Sequence, residues 1–177
     1  MLAPMTAMLI AAPVLSSRQS SVRDVTPAQA GTAVVAGVVL VRLAFNPNVF
    51  DYAMPETPML NWLLYGYGAP ALAFAYGARS FRTRRDDWLV GLLEGGALAL
   101  FALLVFFELR VLMTGRLDSE RYDLAEQSLQ ALAWLALSYA VLRSPPLVAR
   151  PVLRWAGLAL LGLAAAQVLA QLGGKAL

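Results

Sequence analysis

Apolar residues run along this chain in blocks about as long as a bilayer is thick, and charged residues crowd into the short gaps between them. A soluble helix would carry an apolar stripe and a half-buried strand would alternate; neither pattern dominates here, so each block predicts a helix that is apolar on most sides. Five blocks predict five spans. The first runs from Pro27 to Phe45, with Thr26 as N-cap and Pro27 at the first helical position, where its missing N–H costs nothing. Thr57 and Pro58 repeat that signature and open a second span reaching Ala78, inside which Pro70 leaves a carbonyl without its donor and predicts a kink. A third span covers Trp88 to Met113, capped by Asp86 or Asp87 and closed by Gly115.

The fourth span is Leu124 to Leu142 and the fifth is Pro151 to Leu172, where Gly157 and Gly162 offer a surface for close helix approach. Trp62, Trp88 and Trp155 fall near predicted ends, as interfacial anchors do. The opening stretch MLAPMTAMLIAAPVL (residues 1–15) is short for a span and has no basic residue before it; it is read as a short sixth span or as a signal-like segment. The expected fold is thus all-α, a polytopic transmembrane helix bundle in a single membrane domain over residues 1–177.

Composition agrees with this pattern. The chain is 59% hydrophobic and 14% charged, against roughly a quarter charged in soluble domains, and its mean hydropathy is +0.63. It has no Cys and no His, which excludes disulfides, thiolate nucleophiles, His-based triads and ordinary zinc sites, so any chemistry rests on Asp, Glu, Arg, Tyr or a bound ion. No metal, no cofactor and no nucleic acid is expected. The net charge of +3 does not point to nucleic acid, because the basic residues sit in short loops between apolar blocks.

Those loops set the expected orientation. Arg18, Arg23, Arg79, Arg82, Arg84, Arg85, Arg143, Arg150 and Arg154 gather on one side, and only Arg116, Arg121 and Lys175 on the other. By the positive-inside rule, loops 16–26, 79–87 and 143–150 face the cytoplasm of a bacterial inner membrane, and loops 46–57 and 114–123 face the periplasm. The cytoplasmic arginines are read as topology determinants that meet anionic lipid headgroups.

Polar residues inside the spans collect at the periplasmic level. Glu108 and Arg110 lie about 7 Å and 5 Å from Met113 at ~1.5 Å per residue. Arg42 ends the first span, Asn61 and Tyr65 open the second, and Glu126 with Gln130 opens the fourth. Glu108 and Arg110 are about 200° apart around their helix, so each must look to another element: Arg42 is expected for Glu108 and Glu126 for Arg110. The sequence DLAE also matches a capping box, with Asp123 as N-cap and Glu126 at N3. Yet Gln130, Trp134 and Ser138 continue from Glu126 at four-residue spacing, a polar stripe that a cap does not require. Arg42 and Arg110 have a plain alternative, since both are close enough to the interface to snorkel.

Glu94 is fourteen residues before Glu108, about 40° short of four full turns, so the two carboxylates share nearly one face and form a candidate proton or cation path. A Glu94 hydrogen-bonded to Tyr76, Ser138 or Tyr139 would give the same sequence. Asp51 and Glu56, in the outer loop, need no reason beyond solvation.

The run NWLLYGYGAPALAF (Asn61 to Phe74), preceded by VRLAFNP and followed by FFELR and AEQS, resembles a family of large bacterial polytopic membrane proteins catalogued only as a domain of unknown function. The resemblance covers roughly Arg42 to Ser128. It implies a membrane location and Arg42, Asn61, Tyr65, Glu108, Arg110 and Glu126 as motif residues. It brings no established activity. Members of that family are usually much longer, so it also implies that this chain corresponds to a C-terminal portion or a fragment.

The function expected from all of this is a non-catalytic or transport-related subunit of a larger membrane assembly, with the lipid bilayer and a membrane-protein partner or a second copy of the chain as its contacts. The alternative is an envelope enzyme acting on a lipid-linked substrate, with Glu108, Glu126 or Asp51 as acid or base and Arg42 or Arg110 gripping a phosphate.

Overall fold

A computed structural model of the chain describes residues 26–45, 62–82, 88–115, 117 and 123–173. Among them the architecture is all-α. Helix α1 is Thr26–Ala44; a π-helical turn, Leu64–Gly68, leads into α2, Ala69–Arg82; α3 is Trp88–Thr114; α4 is Leu124–Arg143; α5 is a short turn, Pro145–Val148; and α6 is Pro151–Gly173. The stretch 1–15, the loop 46–57 with Asp51 and Glu56, the caps Asp86 and Asp87, and Asn61 lie outside the described residues.

Two of these helices, α3 and α6, are long and apolar enough to cross a membrane, and residues 29–44 of α1 make a shorter apolar helix. Five separate spans are therefore more than the helices themselves establish. Two loop expectations change. Helix α2 continues to Arg82, four residues past Ala78, because the Arg82 guanidinium is engaged by Glu94 of α3. The stretch 143–150 contains α5, whose Leu147 and Val148 N–H groups donate to the Ser144 carbonyl.

The chain divides into two compact units. In the first, α1, the π-turn, α2 and α3 as far as Phe101 bury Val39, Phe74, Phe81, Leu89 and Leu93. Gly96 permits the closest approach in this core, since a Cβ there would lie 2.6 Å from the Phe74 ring and 3.3 Å from Leu40 Cδ1. Pro70 acts through the π-turn just before it: Ala69 N–H donates to the Leu64 carbonyl five residues back, so the helix widens where a proline cannot supply an α-helical donor. The Tyr67 hydroxyl, placed inward by this turn, donates to the Leu43 carbonyl at 3.2 Å. Leu43 sits four residues before Pro47, which has no N–H to give it.

In the second unit, α3 from Ala102, α4, α5 and α6 are brought together, with α4 packed along α6 as the main contact. Gly157 is the small residue this packing requires, with Leu142 Cδ2 and Val141 Cγ1 each 3.1 Å from where its Cβ would be, while Gly162 meets nothing within 4 Å among the described residues. Of the two glycines read as approach points, only Gly157 serves as one here. Helix α3 ends at Gly115, whose φ of 70° is left-handed and whose N–H donates to the Val111 carbonyl at 2.8 Å, a glycine C-cap.

Candidate functional site: a buried polar network

Arg110 on α3, Glu126 and Gln130 on α4, and Gln167 on α6 form a connected polar network inside the second unit. Arg110 Nη1 lies 3.4 Å from Glu126 Oε1, the pairing expected for this arginine, and its Nε donates to the Leu117 carbonyl at 2.8 Å. The arginine is fixed further by its helix, since Thr114 one turn later donates its hydroxyl to the Arg110 carbonyl. Gln130 Nε2 donates to the same Glu126 Oε1 at 3.1 Å, as the four-residue spacing along α4 allows. Gln167 Nε2 reaches across from α6 to the Gln127 carbonyl at 3.0 Å and Gln130 Oε1 at 3.4 Å.

The network is dry. Arg110 is 5% exposed, Glu126 1% and Gln130 2%. A buried ion pair of this kind is held by mutual neutralisation and by the hydrogen bonds that complete each group, because water solvates neither charge. Glu126 Oε1 accepts from two donors, whereas Oε2 is buried with no hydrogen-bond partner among the described residues.

The capping-box expectation is not met. Asp123 is extended and precedes α4, but its side chain makes no cap hydrogen bond. Glu126 turns away from the helix start because the Arg110 guanidinium and the Gln130 amide compete for it more strongly than a backbone N–H does. The polar stripe is real but interrupted. Ser138 is buried and donates to the Gly157 carbonyl at 2.8 Å, so it is a packing contact of α4 with α6. Between Gln130 and Ser138, Trp134 stacks on Phe106 with ring centroids 6.2 Å apart and 12° between planes.

Glu108 is half-buried on α3, two residues before Arg110 and so on the opposite side of the helix. In the first unit, Arg42 is exposed near the end of α1, and Tyr65 is exposed in the π-turn. Glu94 is buried and pairs with Arg82, a partner different from the Tyr76, Ser138 and Tyr139 considered for it. Two residues of these contacts fall outside the sequence expectation: Arg82, in the basic stretch after Ala78, and Gln167. The signal for Gln167 is present, since Gln167 and Gln171 stand four apart in a helix that is apolar from Trp155 onward except for these two, and must share a face. Gln171 Nε2 is buried with no hydrogen-bond partner among the described residues. No family model, no curated protein and no solved structure matches this chain.

Proposed function

We propose that the chain is a multi-pass protein of a bacterial inner membrane and a non-catalytic subunit of a larger membrane assembly, in which the Arg110–Glu126–Gln130–Gln167 network holds three helices in register. The observation that carries this reading is mutual engagement: Arg110, Glu126 and Gln130 are buried, and among the described residues the charged and amide groups bond to one another and to backbone carbonyls across three helices. Transport is the less favoured part of the earlier expectation. Gln130 and Ser138 are about 12 Å apart along α4 at ~1.5 Å per residue, and the Phe106–Trp134 stack lies between them. The Glu94 end of the suggested ion path is engaged by Arg82. A lipid environment is supported by α6, where Trp155, Leu161, Leu163 and Leu169 are exposed along a helix long enough to span. The five-span topology and the family resemblance belong to this proposal.

The chain has no native Cys, so single cysteines report topology without background. Thr57→Cys and Ser119→Cys are expected to react with a membrane-impermeant maleimide in intact cells, and Thr83→Cys and Ser144→Cys only after permeabilisation. In mild detergent the protein mass of the particle, corrected for bound detergent, is expected to exceed the 19.0 kDa of one chain. Release of the chain by a carbonate wash, labelling of all four cysteines in intact cells, or a strictly monomeric particle would each sink the proposal.

A further inference from the structure

The α4–α5–α6 turn carries a cationic cluster that the buried network does not use. Ser138 is bonded to the Gly157 carbonyl, and the two helices are antiparallel; five residues onward along α4 is Arg143, and five residues back along α6 is Val152. Arg143 is therefore level with the first turn of α6, between Arg150 and Arg154. The Arg154 N–H donates to the Arg150 carbonyl at 2.9 Å, so the two are one helical turn apart at the start of α6. Arg143 and Arg154 are exposed, and α4 beyond Glu126, α5 and α6 carry no Asp or Glu.

An amphipathic ring adjoins the charges. The Arg154 guanidinium carbon sits 5.7 Å from the centroid of Trp155, which is 64% exposed; the exposed Leu158 lies one turn further along α6, and the exposed Val152 one turn back at the level of the arginines. Cations at one level, a tryptophan beside them and an open aliphatic face below reproduce, in order, the phosphate, glycerol and acyl regions of a phospholipid.

We propose that the α4–α5–α6 turn is a binding site for an anionic glycerophospholipid, its phosphate held by Arg143, Arg150 and Arg154 and its acyl chain lying along α6 below Trp155. The proposal rests on the membrane reading above. Guanidinium forks, rather than charge alone, give the site its selectivity, because they bind phosphate oxygens two at a time.

The test uses the full chain purified in detergent and offered equal amounts of phosphatidylglycerol and phosphatidylcholine, with retained lipid counted by native mass spectrometry. Flotation with phosphatidylcholine vesicles tests the membrane reading separately. Each basic residue near an anionic surface is worth about a five-fold gain in affinity, so three give a preference on the order of 100-fold for phosphatidylglycerol. The variant R143Q/R150Q/R154Q is expected to lose that preference, and R143K/R150K/R154K to keep only part of it. The variant R116Q/R121Q/K175Q removes the same charge elsewhere and is expected to keep it. Equal retention of both lipids by the wild type, an unchanged preference in the arginine-to-glutamine variant, or an equal loss in the control variant overturns the site. Failure to float with any vesicle overturns the membrane reading and the site with it. Competition by inorganic phosphate at concentrations comparable to the lipid would show that a free anion is the ligand and overturn the lipid assignment.

Discussion

Replacing Arg110 with glutamine leaves the Glu126 carboxylate buried beside an amide in place of a cation. At the observed 3.4 Å separation and an effective dielectric near 20, the lost Coulomb attraction is about 5 kcal/mol. That is not the net value of the pair, because each ion gave up several kcal/mol of hydration to be there. The single substitution removes the attraction and keeps the hydration penalty of the survivor, for which about 3 to 5 kcal/mol is the usual cost. Gln130 Nε2 still donates to Glu126 Oε1, which places the expected loss near the lower end, about 3 kcal/mol. Glu126→Gln should cost a similar amount, moderated by the Leu117 carbonyl that Arg110 still reaches. The double variant R110Q/E126Q places two neutral amides where the ions were and recovers a hydrogen bond of about 1 kcal/mol, so it should lose clearly less than the two singles together. Thermal aggregation in detergent reads this out: at about 2 to 4 °C per kcal/mol for a chain of this size, each single variant is expected to fall by about 6 to 12 °C. R110K, which keeps the charge but not the Nε donor, should fall by less. If both singles melt within a degree or so of wild type, or if the double loses the full sum, the ion pair is not the structural unit described here.

Three further predictions use the same assay. Gln167→Leu removes two hydrogen bonds and leaves the Gln130 Oε1 acceptor buried, at a cost of about 1 to 3 kcal/mol, whereas Gln171→Leu removes a buried amide nitrogen that has no hydrogen-bond partner among the described residues and should be neutral or stabilising. Equal losses from the two would contradict the different environments assigned to them. Gly96→Ala places a methyl 2.6 Å from the Phe74 ring, and the required shift should cost about 1 to 3 kcal/mol; a wild-type melting temperature would show a looser α2–α3 contact than described. Asp123→Ala should change stability by less than about 0.5 kcal/mol because the side chain caps nothing, and a loss near 1 kcal/mol would restore the capping box.

Helix positions were largely legible in the sequence because apolar blocks, N-terminal prolines and Gly115 mark them by local chemistry. Helices α3, α4 and α6 begin at the expected residues and end within one of them. The Arg110–Glu126 pair was legible too, since a charge in an apolar helix with no partner at i±3 or i±4 must find one on another element. What local chemistry could not decide was the competition for each polar group. DLAE fits a cap as well as it fits a tertiary contact, and only the arrival of Arg110 from α3 selects between them. Likewise, the sequence offers Glu94 only hydroxyl partners on neighbouring helices and places Arg82 in a loop, because the extra turn of α2 goes with the pair it makes. The π-turn at Leu64–Gly68 was visible only as a disturbance near Pro70; its direction upstream follows from which carbonyl loses its donor.

The placement of Gln167 also has a consequence in time. Helix α4 is not among the helices apolar enough to cross a membrane alone, since Glu126, Gln127, Ser128, Gln130 and Ser138 interrupt it. Arg110 is made before Glu126 and can meet it at once, but Gln167 and Gly157 are made after α4 is complete. At about 5 to 20 residues per second, synthesis of the chain from Arg143 to Gly173 takes roughly 2 to 6 s. For a membrane-inserted chain, α4 spends that interval with Gln130 and Ser138 still lacking their partners on α6. A chain truncated just before Gln167 and released from the ribosome should therefore retain α4 poorly in the bilayer.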